Sequence, residues 1–185
     1  GFEMESKFTV ARDGWNASTL HLYSHCGTHM DAQVHFEAGP ETIDLIPPGR
    51  CMGRAWVVKL DGIAPKALME VAHLGSIAGQ LAAGDILLFR TGWSRYADDP
   101  ALYRDGLPRF SEPLARWCAQ KRVKLVGVEP PSVADVNNKP EVTLIHHILL
   151  AGGVTIVEGL TNLDHFWLPF TACFAGAGWL AELLG

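Results

Sequence analysis

The sequence predicts an α/β fold in a single domain covering residues 1–185. Three observations lead to it. Short apolar runs of strand length alternate with longer runs in helical period. Glycine and proline punctuate most changes of period. No shift in composition marks an interdomain linker, and the Pro-rich pieces "LIPPGR" and "EPPSVADVNNKP" read as long functional loops. A chain of 185 residues can bury a substantial core, and its 48% apolar and 19% charged residues are ordinary for a globular protein.

Taken in order, "STLHLYSH" from Ser18 alternates with the period of two expected of a half-buried strand. "CMGRAWVVKLDG" is a second strand, stopped by Asp61-Gly62. "PKALMEVAHLG" has Pro65 in its first turn and Gly75 at its end, which predicts a helix. "GDILLFRTGW" is a buried strand, and "SEPLARWCAQKR" is a helix with Ser111 as N-cap and cations in its last turn. "VKLVGVE" is a strand, "PEVTLIHHILLAGG" a helix closed by Gly152-Gly153, and "VTIVEGL" the strand that follows.

A formal net charge of -5 without a Lys/Arg block argues against a nucleic-acid partner. The longest apolar run, Ile148 to Val157, is interrupted by two glycines and is too short for a membrane span. The start, "GFEMESKFTV", lacks the charged-then-apolar layout of a secretion signal. Cys26, Cys51, Cys118 and Cys173 are scattered without a C-x-x-C pair, so reduced thiols and a cytoplasmic location are expected.

The chemistry concentrates in "SHCGTHMDAQVHFEAG", which places His25, His29, Asp31 and His35 close together. Burying such groups is costly without partners, so the segment is either a solvated His-rich loop or a set converging on something positive. The odd-numbered His25, His29, Asp31, Gln33 and His35 share one face of an extended strand. A straight strand would hold His25 and His29 about 13 Å apart, too far to share one ion at ligand distances of roughly 2 Å. A bend at Cys26-Gly27 removes the difficulty, because Gly27 can adopt a backbone closed to other residues. Two imidazoles and the Asp31 carboxylate then suit a divalent ion such as zinc or manganese. His35 stands beyond this trio, better placed to work beside a metal than to bind it. Cys26, inside the cluster, reads as a bystander.

The pattern His25-x-Gly27-Thr28-His29-x-Asp31 with His35 resembles the motif of the cyclase-like metal hydrolases, a family that includes bacterial kynurenine formamidases and isatin hydrolases. Gln33 departs from the family's proline, which costs some rigidity and no ligand. "LLFRTGW", "LVGVEPPS" and "HHILLAGGVTIVEGLTNLD" are similar to later family segments, so the likeness runs from about residue 20 to 165. It implies the family's swivelling β/β/α fold, an N-terminal strand preceding this chain, and a homodimer or higher homo-oligomer.

The resemblance also selects His146 over His147, because the family carries a His at that spacing before its second metal-side residue. Helix geometry agrees that adjacent residues, about 100° apart, cannot both face one site. Glu158 ends an apolar strand, where a solvated Glu would be equally ordinary; the resemblance makes it a metal ligand. A Glu at this point matches the two-metal, formamidase-like members. The implied reaction is hydrolysis of a C–N bond in an aryl formamide or cyclic amide, with a metal lowering the pKa of water to about 7. His35 would be the general acid/base. Phe36 and Trp93 would wall the pocket for a planar small-molecule substrate, or be plain core aromatics. A lactone hydrolase of the same family, or a metal-binding protein without turnover, are the alternatives.

Overall fold

Four of the apolar strand runs lie side by side at the centre of the molecule, in a computed structural model that describes residues 2–165 and the backbone of 170–173. In chain order the elements are β1 (Phe2–Phe8), α1 (Val10–Asp13), β2 (Ala17–Leu22), β3 (His29–Asp31), β4 (Met52–Lys59), β5 (Leu68–Met69), α2 (Ile77–Gln80), β6 (Ile86–Arg90), α3 (Pro100–Asp105), β7 (Arg109–Phe110), α4 (Glu112–Gln120), β8 (Leu125–Val128), α5 (Lys139–Ala151), β9 (Thr155–Glu158) and β10 (Phe170–Cys173), with short 3-10 turns between several of them. This is the mixed α/β architecture that the alternation of periods predicts.

A six-stranded sheet runs in the order β10-β4-β6-β8-β9-β3. Its four inner strands are parallel, and antiparallel strands close both edges. Parallel strands need cover on both faces, which explains why "ILLF", "LVGV" and "TIVE" are continuous rather than alternating. On one face α4 and α5 supply Leu114, Cys118, Ile145 and Leu149. On the other, Met30, Ile43, Cys51, Leu160 and Leu163 fill the space above Ala55, Leu88 and Val157. Each fully buried aliphatic side chain contributes about 1.5–3 kcal/mol. Ser111 caps α4 as expected, accepting from the Leu114 N–H, but the helix ends at Gln120, so Lys121 and Arg122 follow its last turn instead of lying in it. Helix α5 ends at Gly152 as expected and is capped at its start by Asn138, which accepts from the Glu141 N–H.

Residues 65–75 correct the sequence reading. They form β5 and a 3-10 turn at Val71–Leu74 instead of a helix. The backbone bonds of this segment go outward: Lys66 donates to Gly106, Arg109 to Ala67, and Ser111 to Met69. Pairing of β5 with β7 thus overrides a helix propensity that was only local. The strand at 18–25 also ends early, at Leu22, where β2 stops pairing with β1. The chain is then free to bend before His25.

Candidate metal centre

Sheet register brings the distant parts of the site together. Strand β3 pairs with β9 so that His29 stands opposite Glu158 and Asp31 opposite Ile156. His25 reaches the same place because Gly27 turns the chain with φ +69°, as the bend at Cys26-Gly27 requires. His146 arrives from α5, on the buried face of that helix, while His147 is exposed.

The resulting cluster is buried and tightly spaced. Atoms of His25, His29, Asp31 and Glu158 lie within 4.8 Å of one another. His25 Nδ1 is 2.9 Å from His29 Nε2 and 3.6 Å from Asp31 Oδ1. His29 Nε2 is 3.8 Å from Asp31 Oδ1 and 3.4 Å from Glu158 Oε2. His146 lies on the other side, its Nε2 3.6 Å from Asp31 Oδ2 and 3.3 Å from Glu158 Oε1. Four ligands held about 2.0–2.2 Å from a tetrahedral ion stand about 3.3–3.6 Å from each other. The donor set therefore fits a divalent cation in type and in spacing.

Tautomers point the same way. His29 Nδ1 is 3.0 Å from the Gly27 carbonyl and His146 Nδ1 is 2.7 Å from the Val142 carbonyl. A carbonyl only accepts, so both Nδ1 atoms carry the proton and both Nε2 lone pairs face the centre. Glu158 Oε1 is held by the Val133 N–H at 2.7 Å. Without a metal the same groups lean on protons. Burial opposes charging His29, but Glu158, the Gly27 carbonyl and Asp31 outweigh it and lift the pKa to about 9. His146 is also raised, burial being outweighed by Glu158, Asp31 and Val142. Glu158 moves down despite its burial, because His146 and His29 donate to it.

His35 sits apart from the tight set, exposed, in a 3-10 turn (Gln33–Phe36). Its ring is 4.5 Å from that of His25 and 6.4 Å from that of His146. Desolvation of the ring, then repulsion from His25 and His146, pushes its pKa down to about 4. Phe36 stacks on His146 with centroids 4.3 Å apart and touches His35 at 4.4 Å. Of the two readings open for Trp93, its contacts are those of an interior aromatic. It is 2% exposed, donates from Nε1 to the Tyr103 carbonyl and meets Tyr96. Cys26 is exposed.

The Cyclase family model matches residues 3–135, most of the chain. The chain belongs to the cyclase family. His146 and Glu158 lie beyond the matched residues, so their place in the cluster rests on the fold itself. Among curated family relatives, the chain is 32% identical to a kynurenine formamidase of Salinibacter ruber over 78% of this chain and 65% of that protein. It is 32% identical to one of Geobacillus thermodenitrificans over 89% of this chain and 74% of that protein. The chain thus spans just under two thirds of the Salinibacter protein's length. Among solved structures, isatin hydrolase A from Labrenzia aggregata shares the fold with a TM-score of 0.80, at 19% identity over 91% of this chain and 73% of that one.

Several supporting groups were not legible beforehand. The Val133 N–H lies in the loop after β8, and no side-chain signal marks it. Glu129 is 3% exposed and receives the Thr91 and Trp93 N–H groups, which shapes the turn after β6. A carboxylate closing the apolar run "LVGVE" was the available hint. Gln33, where the family has proline, donates to the Leu150 carbonyl at 3.2 Å and accepts from Glu41 N–H at 3.4 Å. Two hydrogen bonds thus tie down the loop that carries His35.

Proposed function

We propose that this chain is a metal-dependent hydrolase of a C–N bond in an aryl formamide or cyclic amide. The observation that carries this reading is the convergence of His25, His29 and Asp31 with His146 and Glu158, segments far apart in sequence. The curated relatives named as kynurenine formamidases support the substrate class. A divalent ion held by these residues, zinc or manganese, would lower the pKa of a water to near 7 and polarise the scissile carbonyl. His35, its ring 4.5 Å from that of His25, would serve as the general base that takes a proton from the attacking water and the acid that returns it to the leaving nitrogen. Phe36 offers an apolar, half-buried surface beside His35 for a planar small-molecule substrate.

Two ions per chain is the proposed stoichiometry. Asp31 turns Oδ1 toward His25 and His29 and Oδ2 toward His146, and Glu158 divides its oxygens in the same way. Two anions shared between two sets of imidazoles suit a pair of dications. A homodimer in the cytoplasm completes the proposal; the free thiols of Cys26 and Cys118 are in keeping with a reducing compartment. Among the described residues no helix is long and apolar enough to cross a membrane.

Turnover of N-formylkynurenine, isatin and a set of small lactones by the metal-loaded protein tests the reading. Hydrolysis of the amides is expected. Activity confined to the lactones would move the protein to ester chemistry, and metal binding without turnover of any of them would make it a binding protein.

A further inference from the structure

The rung that sets His29 against Glu158 is followed by a contact of a different kind. The Thr28 hydroxyl donates to the Gly159 carbonyl at 2.7 Å. Both strands turn out of the ladder here, Gly27 with φ +69° and Gly159 with φ +67°. A Cβ on Gly159 would stand 2.6 Å from the Gly27 carbonyl oxygen, closer than real Cβ atoms come, and a tight 3.1 Å from its carbon. Only glycine allows this crossing. The same Gly27 oxygen accepts the Nδ1 proton of His29. One carbonyl therefore meets both a metal-side imidazole and the residue that follows the metal-side carboxylate.

Strand β3 is only three residues long and lies at the sheet edge, so its ladder gives the His25–His29 loop little leverage. Cys26 to Thr28 are exposed, whereas His146 and Glu158 stand on a thirteen-residue helix and a strand inside the sheet. We infer that the Thr28–Gly159 contact is a clasp that sets the spacing between the His25–His29 loop and Glu158, with Thr28 as a positioning residue for the metal centre. This rests on the metal-binding reading above. Loss of the clasp lets the loop swing while Asp31, His146 and Glu158 stay in place. The damage then falls on metal affinity and geometry and spares the fold, since Thr28 is exposed.

The test compares the parent, Thr28→Val, which keeps the shape without the donor, and Thr28→Ser, which keeps the donor. Cobalt affinity is measured by chelator competition, the visible spectrum of bound cobalt is recorded, and thermal unfolding is followed on chelator-treated protein. Thr28→Val is expected to bind cobalt about 10- to 100-fold more weakly, with an altered spectrum, the range seen when groups that orient metal ligands are removed. Thr28→Ser should stay within about threefold of the parent, and all three metal-free proteins should unfold at the same temperature. Equal affinity and spectrum in parent and Thr28→Val would overturn the clasp while leaving the metal reading intact. So would a metal-free Thr28→Val that unfolds earlier and binds normally. A parent that takes up no cobalt would overturn both.

Discussion

His25 and His29 stand on a glycine bend and a three-residue edge strand, whereas His146 and Glu158 project from a thirteen-residue helix and a strand of the inner sheet. The first half is contiguous in sequence, buried at His29 and Met30 but exposed from Cys26 to Thr28. Its geometry depends on the φ of Gly27, the Thr28 hydroxyl and a carbonyl that orients His29. The second half is remote in sequence and anchored in the core, with Ile145, Leu149 and Ile156 around it at no more than 2% exposure. The fold thus joins a pair of imidazoles on a glycine bend and an edge strand to an imidazole and a carboxylate on a helix and an inner strand. Asp31, 1% exposed, lies where the two meet.

The largest effect should come from a residue belonging to neither half. His35→Ala should retain its metal and lose turnover by about two to four orders of magnitude, as expected of a general acid/base. Metal analysis beside steady-state rates checks this; a metal-free or fully active variant would contradict the role. In the anchored half, Ile156→Ala removes buried atoms from the middle of β9 and should destabilise the fold by about 2–5 kcal/mol in chemical denaturation. A loss comparable to a surface substitution would mean that this half is not the rigid one.

A pH series on metal-free protein sharpens the comparison further. The pKa of His29 is raised from 6.5 to about 9 by folding, so its stabilisation is complete below about 6.5 and is lost as pH climbs through 9. The unfolding midpoint of chelated protein should therefore fall across that window, and metal, which displaces the proton, should bind more tightly as pH rises. A midpoint that is flat from pH 6.5 to 9 would contradict the proton-for-metal exchange. The smallest effect is expected at His147, one residue from the centre in sequence yet exposed. His147→Ala should change stability by less than about 0.5 kcal/mol and leave metal content unchanged.

The same division explains what could be read from the sequence. The near half is written in consecutive residues: the parity of the His and Asp positions and one glycine between them were enough to foresee the bend that Gly27 makes. The inner strands were legible because burial on both faces forces continuous apolar runs. The partners of the far half were not fixed by local pattern. Whether Glu158 was a ligand or a solvated turn residue depended on the register of β3 against β9, a tertiary property. The segment at 65–75 failed for a related reason, since Lys66, Ala67 and Met69 make backbone hydrogen bonds with residues 106–111, and only its later part, from Glu70, closes short turns on itself. Trp93 follows "LLFRTG" as a pocket wall could, but the strand end turns it inward to the Tyr103 carbonyl.

Metal content decides most directly whether the two halves act as one centre. Elemental analysis of purified protein, saturated with zinc or manganese and then freed of excess ion, should be carried out on the parent, His29→Ala and His146→Ala, one substitution in each half. The parent should approach two ions per chain, and each variant should fall well below it, because Asp31 and Glu158 face both imidazole sets. Metal content equal to that of the parent in His29→Ala and His146→Ala would contradict a shared centre.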